Sequence, residues 1–201
     1  SVSMIQMIRA FCAVINGGVL YTPKITKAIL MPYSNELIYE VPTIIEKDGI
    51  ITQKTSELMR YALESVVAKG SGRKAYIEGY RIGAKTGTSQ IAENGVYLQG
   101  QYILSMISAF PMNDPKIAIY VAMEKPHSLI QYGGTIIGPI INNIISDVGL
   151  YLNIDKQDSE LEFEYTWMDV KNYEVDNYIG KDIKEIKSKH FSFEIVGDGS
   201  K

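Results

Sequence analysis

The chain opens on a dense run of apolar positions. Met4, Ile5, Met7, Ile8, Phe11, Val14 and Ile15 leave little polar face, which predicts a buried helix. Ser3 stands before it and Gln6 follows three residues later, the spacing of a capping box. Gly17-Gly18 stops the helix. Residues 19–47 are broken by Pro23, Pro32 and Pro42 and read as short strands and turns. A second helix is predicted over 52–69, where Leu58, Met59, Ala62, Leu63, Val66 and Val67 recur at helical spacing and Gly70 follows. The pattern then turns strand-like over 80–88, 102–110 and 117–123. Asn113-Asp114-Pro115 is a turn signal that joins the last two into a hairpin. A third helix is predicted after Gly133-Gly134, with Pro139 in its first turn and Ile140, Ile144, Val148 and Tyr151 along one face. Residues 153–168 are acidic and turn-like and read as a linker. A short helix near 181–189 and an alternating strand over 191–196 look like the start of a second, small module, 169–201.

Composition narrows the classes. With 201 residues, 46% hydrophobic and 21% charged, the chain carries enough apolar surface for a core, which excludes general disorder. The net charge of −3 supplies no basic face, so nucleic acid is not an expected partner. One cysteine, Cys12, and two histidines, His127 and His190, exclude a disulfide scaffold and make a metal site an unpromising expectation. Cys12 lies in the apolar first helix and reads as an inert buried thiol. His127 reads as a loop residue, and His190 as a helix-end cation. Glu160, Glu162 and Glu164 alternate with Leu161, Phe163 and Tyr165, an extended segment with one wet face.

The chemistry concentrates in Gly83-Ala84-Lys85-Thr86-Gly87-Thr88-Ser89-Gln90, at the end of a predicted strand. Lys85 brings a cation with three donors, and Thr86 and Thr88 bring hydroxyls that can donate to a carboxylate. Gly87 has no Cβ and lets a ligand approach the backbone. A backbone N–H at such a strand end can hold an oxyanion. The string is a ledge for acyl transfer without a nucleophile of its own.

Lys-Thr-Gly is one of three motifs of penicillin-recognising serine enzymes, beside Ser-x-x-Lys and Ser-x-Asn. Other features accompany it in order. They are the helix ending Asn16-Gly17-Gly18, the stretch Val66-Val67…Gly70-Ser71-Gly72…Ala75, and Gly79-Tyr80 before Lys85-Thr86-Gly87-Thr88. Ser105 to Pro111, Pro115-Lys116, Pro126, Tyr132-Gly133-Gly134 and Pro139 follow. By these residues, 1–152 resembles the C-terminal half of a penicillin-binding protein transpeptidase domain, most like the monofunctional class B enzymes. Val175 to Gly199 resembles the first half of a PASTA repeat. The resemblance implies an α+β fold, an antiparallel sheet flanked by helices, followed by a partial PASTA-like module.

It also implies roles. Lys85 supplies positive potential in a D,D-transpeptidase site. Thr86 and Thr88 bind the terminal carboxylate of a peptidoglycan stem peptide or of a β-lactam, with Gly87 between them. The Thr88 N–H forms half of an oxyanion hole, and Gln90 contacts substrate. No cofactor and no metal are implied. The implied protein partners are cell-division or elongation proteins, and the implied location is the outer face of the cell membrane, on a membrane-anchored parent. Residues 1–84 hold no Ser-x-Asn. Ser71-Gly72-Arg73-Lys74 fits Ser-x-x-Lys literally, but it lies in a Gly-rich turn rather than at a helix N-terminus. The nucleophile is therefore expected outside these residues and the chain alone is expected to be inactive; with apolar faces of the first helix and the sheet left uncovered, it is also expected to be marginally stable or to associate. Two alternatives stay open: a non-catalytic cell-wall or partner-binding module, and another penicillin-recognising enzyme, a D,D-carboxypeptidase or β-lactamase.

Overall fold

The computed structural model describes residues 2–127, 131–157, 161 and 163. All fall in one compact unit, Ser1–Glu164. Helix α1, Met4–Ile15, starts from the expected capping box: Gln6 N–H donates to Ser3 Oγ at 3.3 Å, and Ser3 N–H donates to Gln6 Oε1 at 2.8 Å. The predicted short strands pair antiparallel, β1 (Leu20–Tyr21) with β4 (Ile45–Lys47) and β2 (Ala28–Leu30) with β3 (Leu37–Glu40). Helix α2, Gln53–Lys69, is capped by Thr52 Oγ1, which accepts from Thr55 N–H at 3.1 Å. Buried Ser56 locks α2 to the end of α1. Its Oγ donates to Val14 O at 2.7 Å and accepts from Gly17 N–H at 3.0 Å.

The principal sheet is antiparallel, in the order β5 (Gly83–Glu93), β6 (Val96–Phe110), β7 (Ile117–Glu124). Alternation along β6 divides the core between its two faces. Leu104, Met106 and Phe110 join Ala84 of β5 against Ile137, Ile141 and Ile145 of α3, Gly133–Tyr151. Ala109 turns the other way, toward Ile15 of α1 and Leu63 of α2, with Met112 beside them. The sheet thus lies between α3 on one face and the α1–α2 pair on the other. This is the expected antiparallel sheet flanked by helices.

Two element boundaries differ from the sequence reading. The first two strands of the sheet extend far past 88 and start well before 102, because Asn94-Gly95 closes them into a hairpin. Both turn residues have positive φ, 52° and 79°, as a two-residue type I′ turn requires. Helix α3 starts at Gly133 rather than after Gly134, so Pro139 falls in its second turn and deprives the Thr135 carbonyl of a helical donor. The glycines are there for contact and do not stop the helix. A Cβ on Gly133 would lie 2.8 Å from Ser105 O, and one on Gly134 only 1.8 Å from Ser71 O.

Residues after α3 fold back on the domain. Ile154 packs against the α3 core, Gln157 N–H donates to Gly79 O at 2.6 Å, and Phe163 stacks on Tyr76 at 3.9 Å. This is the described part of the expected linker. The expected PASTA-like module, 169–201, lies outside the described residues.

Candidate active site

Strand β5 is an edge strand. β6 occupies one side, and among the described residues no strand pairs with the other. Lys85 sits opposite Ile107, Thr86 opposite Met106, Gly87 opposite Ser105 and Thr88 opposite Leu104. Period two places Ala84, Thr86 and Thr88 on the α3 face and Lys85 and Gly87 on the other. Lys85 is exposed, and its Nζ donates to Thr86 O at 2.8 Å. A carbonyl that takes a lysine in this way faces the open edge. Two residues on, Thr88 turns its own N–H and C=O to the same edge.

A cleft of about 320 Å³ opens beside Thr86 and Thr88. Among the described residues, three segments line it. The turn after α2 gives Gly70, Ser71, Arg73 and Lys74; β5 gives Thr86 and Thr88; the start of α3 gives Tyr132, Gly133, Gly134 and Thr135. Each segment is set by a local reason. Gly70 ends α2, and its N–H and that of Gly72 both bond Val66 O, at 3.1 and 3.0 Å. A 3-10 turn over Arg73–Ala75 then carries the two cations. The paired glycines let the α3 N-terminus press on β5, where Gly134 faces Thr86 Cγ2.

The chemistry of the lining is one-sided. Five hydroxyls (Ser71, Thr86, Thr88, Tyr132, Thr135), two cations (Arg73, Lys74) and the positive end of the α3 dipole meet there, and among the described residues none that lines the cleft is acidic. Such a cleft suits an anionic ligand that only accepts hydrogen bonds, as a carboxylate does. Ser71 Oγ lies 2.8 Å from Thr86 Oγ1. Among the described residues, no cluster of three or more His, Cys, Asp or Glu could hold a metal ion.

The residues expected from sequence separate here. Thr86 and Thr88 line the cleft. Gly87 lies between them, and a Cβ there would meet Ser105 Oγ at 2.6 Å, a side-chain end that would have to turn away. Lys85 stands on the opposite face of the strand. Gln90 Nε2 donates to Leu98 O at 3.1 Å, so its amide is used within the β5–β6 hairpin. Arg73, Lys74, Tyr132 and Thr135 also line the cleft, with Ser71 from what the sequence marks as a turn, and none of them is a site residue by its sequence pattern. The run Gly70-Ser71-Gly72 and the Tyr132-Gly133-Gly134 triplet were the available signals, but only the tertiary fold brings them to β5.

The family model described as the penicillin-binding protein transpeptidase domain matches residues 1–146. The chain belongs to this family. Among relatives, Stage V sporulation protein D of Bacillus subtilis is 40% identical over 203 residues, covering 100% of this chain and 31% of that protein. A peptidoglycan D,D-transpeptidase FtsI homolog of Mesostigma viride is 29% identical over 72% of this chain and 26% of its own length. The chain thus spans about a third or less of these two relatives' length. Among solved structures, the transpeptidase domain of Burkholderia pseudomallei penicillin-binding protein 3 matches with a TM-score of 0.63 at 28% identity, over 79% of this chain and 45% of that one. Penicillin-binding protein 3 of Mycobacterium tuberculosis complexed with ampicillin shares the fold, with a TM-score of 0.66 at 22% identity over 82% of this chain and 39% of that one. In this penicillin-binding protein transpeptidase chain, no helix among the described residues is long and apolar enough to cross a membrane.

Proposed function

We propose that the chain forms the Lys-Thr-Gly side of the active site of a class B peptidoglycan D,D-transpeptidase. The carrying observation is the anion-suited cleft beside β5, whose outer edge no strand pairs with among the described residues, lined by Thr86 and Thr88 and with no acidic side chain among its described lining. Thr86 and Thr88 hold the terminal carboxylate of a D-Ala-D-Ala stem peptide through their hydroxyls. The Thr88 N–H, turned to the open edge, stabilises the oxyanion that forms when a serine attacks the penultimate carbonyl. Lys85 adds positive potential on the far face of the strand and supplies a hydrogen-bond link to the Ser-x-Asn group. The serine and its lysine come from outside these 201 residues. The terminal D-Ala leaves, and the amine of a second stem peptide takes the acyl group from the serine ester. A β-lactam presents a similar carboxylate and a strained amide, so the same serine opens it and stays acylated. The substrate lies in the cell wall, which puts the domain on the outer face of the membrane on an anchored parent. Cell-division or elongation proteins are the partners this role calls for, and residues 169–201 would add a partial PASTA-like module.

The test is labelling of the whole protein by a fluorescent penicillin. Lys85→Ala is expected to slow acylation about a hundredfold or more, the scale of losing a preorganised electrostatic group. Undiminished labelling removes Lys85 from the site.

A further inference from the structure

We infer that Ser71 is a positioning residue for Thr86, setting the direction of its hydroxyl proton for carboxylate binding. The inference rests on the reading of Thr86 as a carboxylate-binding group, and it deepens that reading.

Ser71 Oγ and Thr86 Oγ1 stand 2.8 Å apart, and either hydroxyl can donate to the other. Each carries one proton. A carboxylate only accepts, so a Thr86 that binds one must send its proton to the ligand. Its lone pair is then free to accept, and Ser71 is the donor at hand. The bound arrangement is a chain in one direction: Ser71 O–H to Thr86 Oγ1, and Thr86 O–H to the carboxylate. Hydrogen bonds aligned in this sense strengthen one another.

Ser71 is built to hold its place. Gly72 N–H is bonded to Val66 O at 3.0 Å, which fixes the turn to the end of α2. On its other side the α3 backbone presses in at Gly134, where even a Cβ would lie 1.8 Å from Ser71 O. Ser71 also lines the cleft itself. It is no nucleophile by this geometry. It precedes the 3-10 turn Arg73–Ala75 that carries Lys74, and its hydroxyl is paired with Thr86.

The experiment measures penicillin acylation of the whole protein, with half-saturating concentration and limiting rate separated. Ser71→Ala is expected to raise the half-saturating concentration about three- to tenfold, the size of one hydrogen bond beside a charge, with the limiting rate changed less than twofold. Ser71→Thr, which keeps the hydroxyl, is expected to recover most of the loss. Penicillin methyl ester, whose carboxylate is blocked, is expected to acylate wild type and Ser71→Ala equally. In a Thr86→Val background, Ser71→Ala is expected to add nothing. An unaltered half-saturating concentration in Ser71→Ala, or an equal loss with the ester or in the Thr86→Val background, overturns the positioning role while leaving Thr86 in place. Wild-type saturation by Thr86→Val itself overturns the carboxylate role of Thr86 and the positioning role with it.

Discussion

Glu64 of α2 and Arg81, just before β5, form a two-pronged ion pair. Arg81 Nε donates to Glu64 Oε1 at 3.1 Å and Nη2 to Oε2 at 2.9 Å, with side chains only 13% and 4% exposed. The Arg81 carbonyl also accepts from Met112 N–H at 2.8 Å. The pair therefore ties α2 to the residues that lead into the ligand-binding strand, and it fixes where Lys85-Thr86-Gly87-Thr88 begins.

Removing one partner strips the other, still buried, of both hydrogen bonds of this pair. Glu64→Ala is expected to cost about 3–5 kcal/mol in denaturant unfolding, and Arg81→Ala a comparable amount. Replacing both by apolar residues of similar volume, Glu64→Leu with Arg81→Met, is expected to recover much of that loss. A double variant as unstable as either single one would show that the pair matters for more than its charge.

The contact between Gly134 and Ser71 makes a sharper demand. A Cβ at Gly134 points into a backbone carbonyl, which cannot rotate away as a side chain can. Gly134→Ala should force the α3 N-terminus off β5, with about 1–3 kcal/mol lost to overpacking or more, and penicillin labelling should fall together with stability. Gly100→Ala is the comparison: Gly100 has φ +70° and nothing within 4 Å of its Cβ position, so only backbone strain enters and labelling should persist. Equal labelling of the Gly134→Ala and wild-type proteins would contradict the close seating of the helix.

Local signals made most of the fold legible. Ser3 and Gln6 announced the α1 cap, the 3.6-residue period announced α2, and Asn113-Asp114-Pro115 announced the β6–β7 turn; each is decided by residues a few positions apart. The β5–β6 hairpin was equally local, since Asn94-Gly95 is a strong turn signal, yet polar Gln99, Gly100 and Gln101 obscured the alternation around it. The start of α3 departs from the sequence pattern for a different reason. Gly133 and Gly134 look like a break by propensity, but tertiary contact with Ser105 and Ser71 requires a missing Cβ inside the helix. The site divided in the same way. Thr86 and Thr88 follow from a contiguous motif, whereas the partnership of Ser71 with Thr86 spans fifteen positions and exists only once α2, β5 and α3 have packed.

Cys12 offers a test of burial independent of the site. It is partly buried in α1, and burial pushes its thiol pKa up, because the thiolate loses hydration there. The thiol therefore stays protonated at neutral pH and is a poor nucleophile. Alkylation of the folded protein at pH 7.5, a chosen assay pH, is expected to run at least about tenfold slower than in denaturant. Equal rates would place Cys12 at the surface.

The outer face of α1 carries the last prediction. Met4, Ile5 and Met7 are 50%, 55% and 40% exposed, although their helix is apolar almost throughout. On the opposite side Ile15 is buried with Leu63, Ala109 and Met112, and Phe11 packs beside them. A helix that hides one apolar face and shows another presents a surface that water does not favour, and such surfaces bring molecules together. The 201-residue chain on its own is expected to associate in sedimentation velocity as its concentration rises. Met4→Lys with Ile5→Glu is expected to shift it toward monomer while changing unfolding free energy by only about 0.5 kcal/mol, as exposed substitutions do. A wild-type chain that stays monomeric at high concentration, or a variant that associates just as strongly, would mean that this face is not what drives contact between molecules.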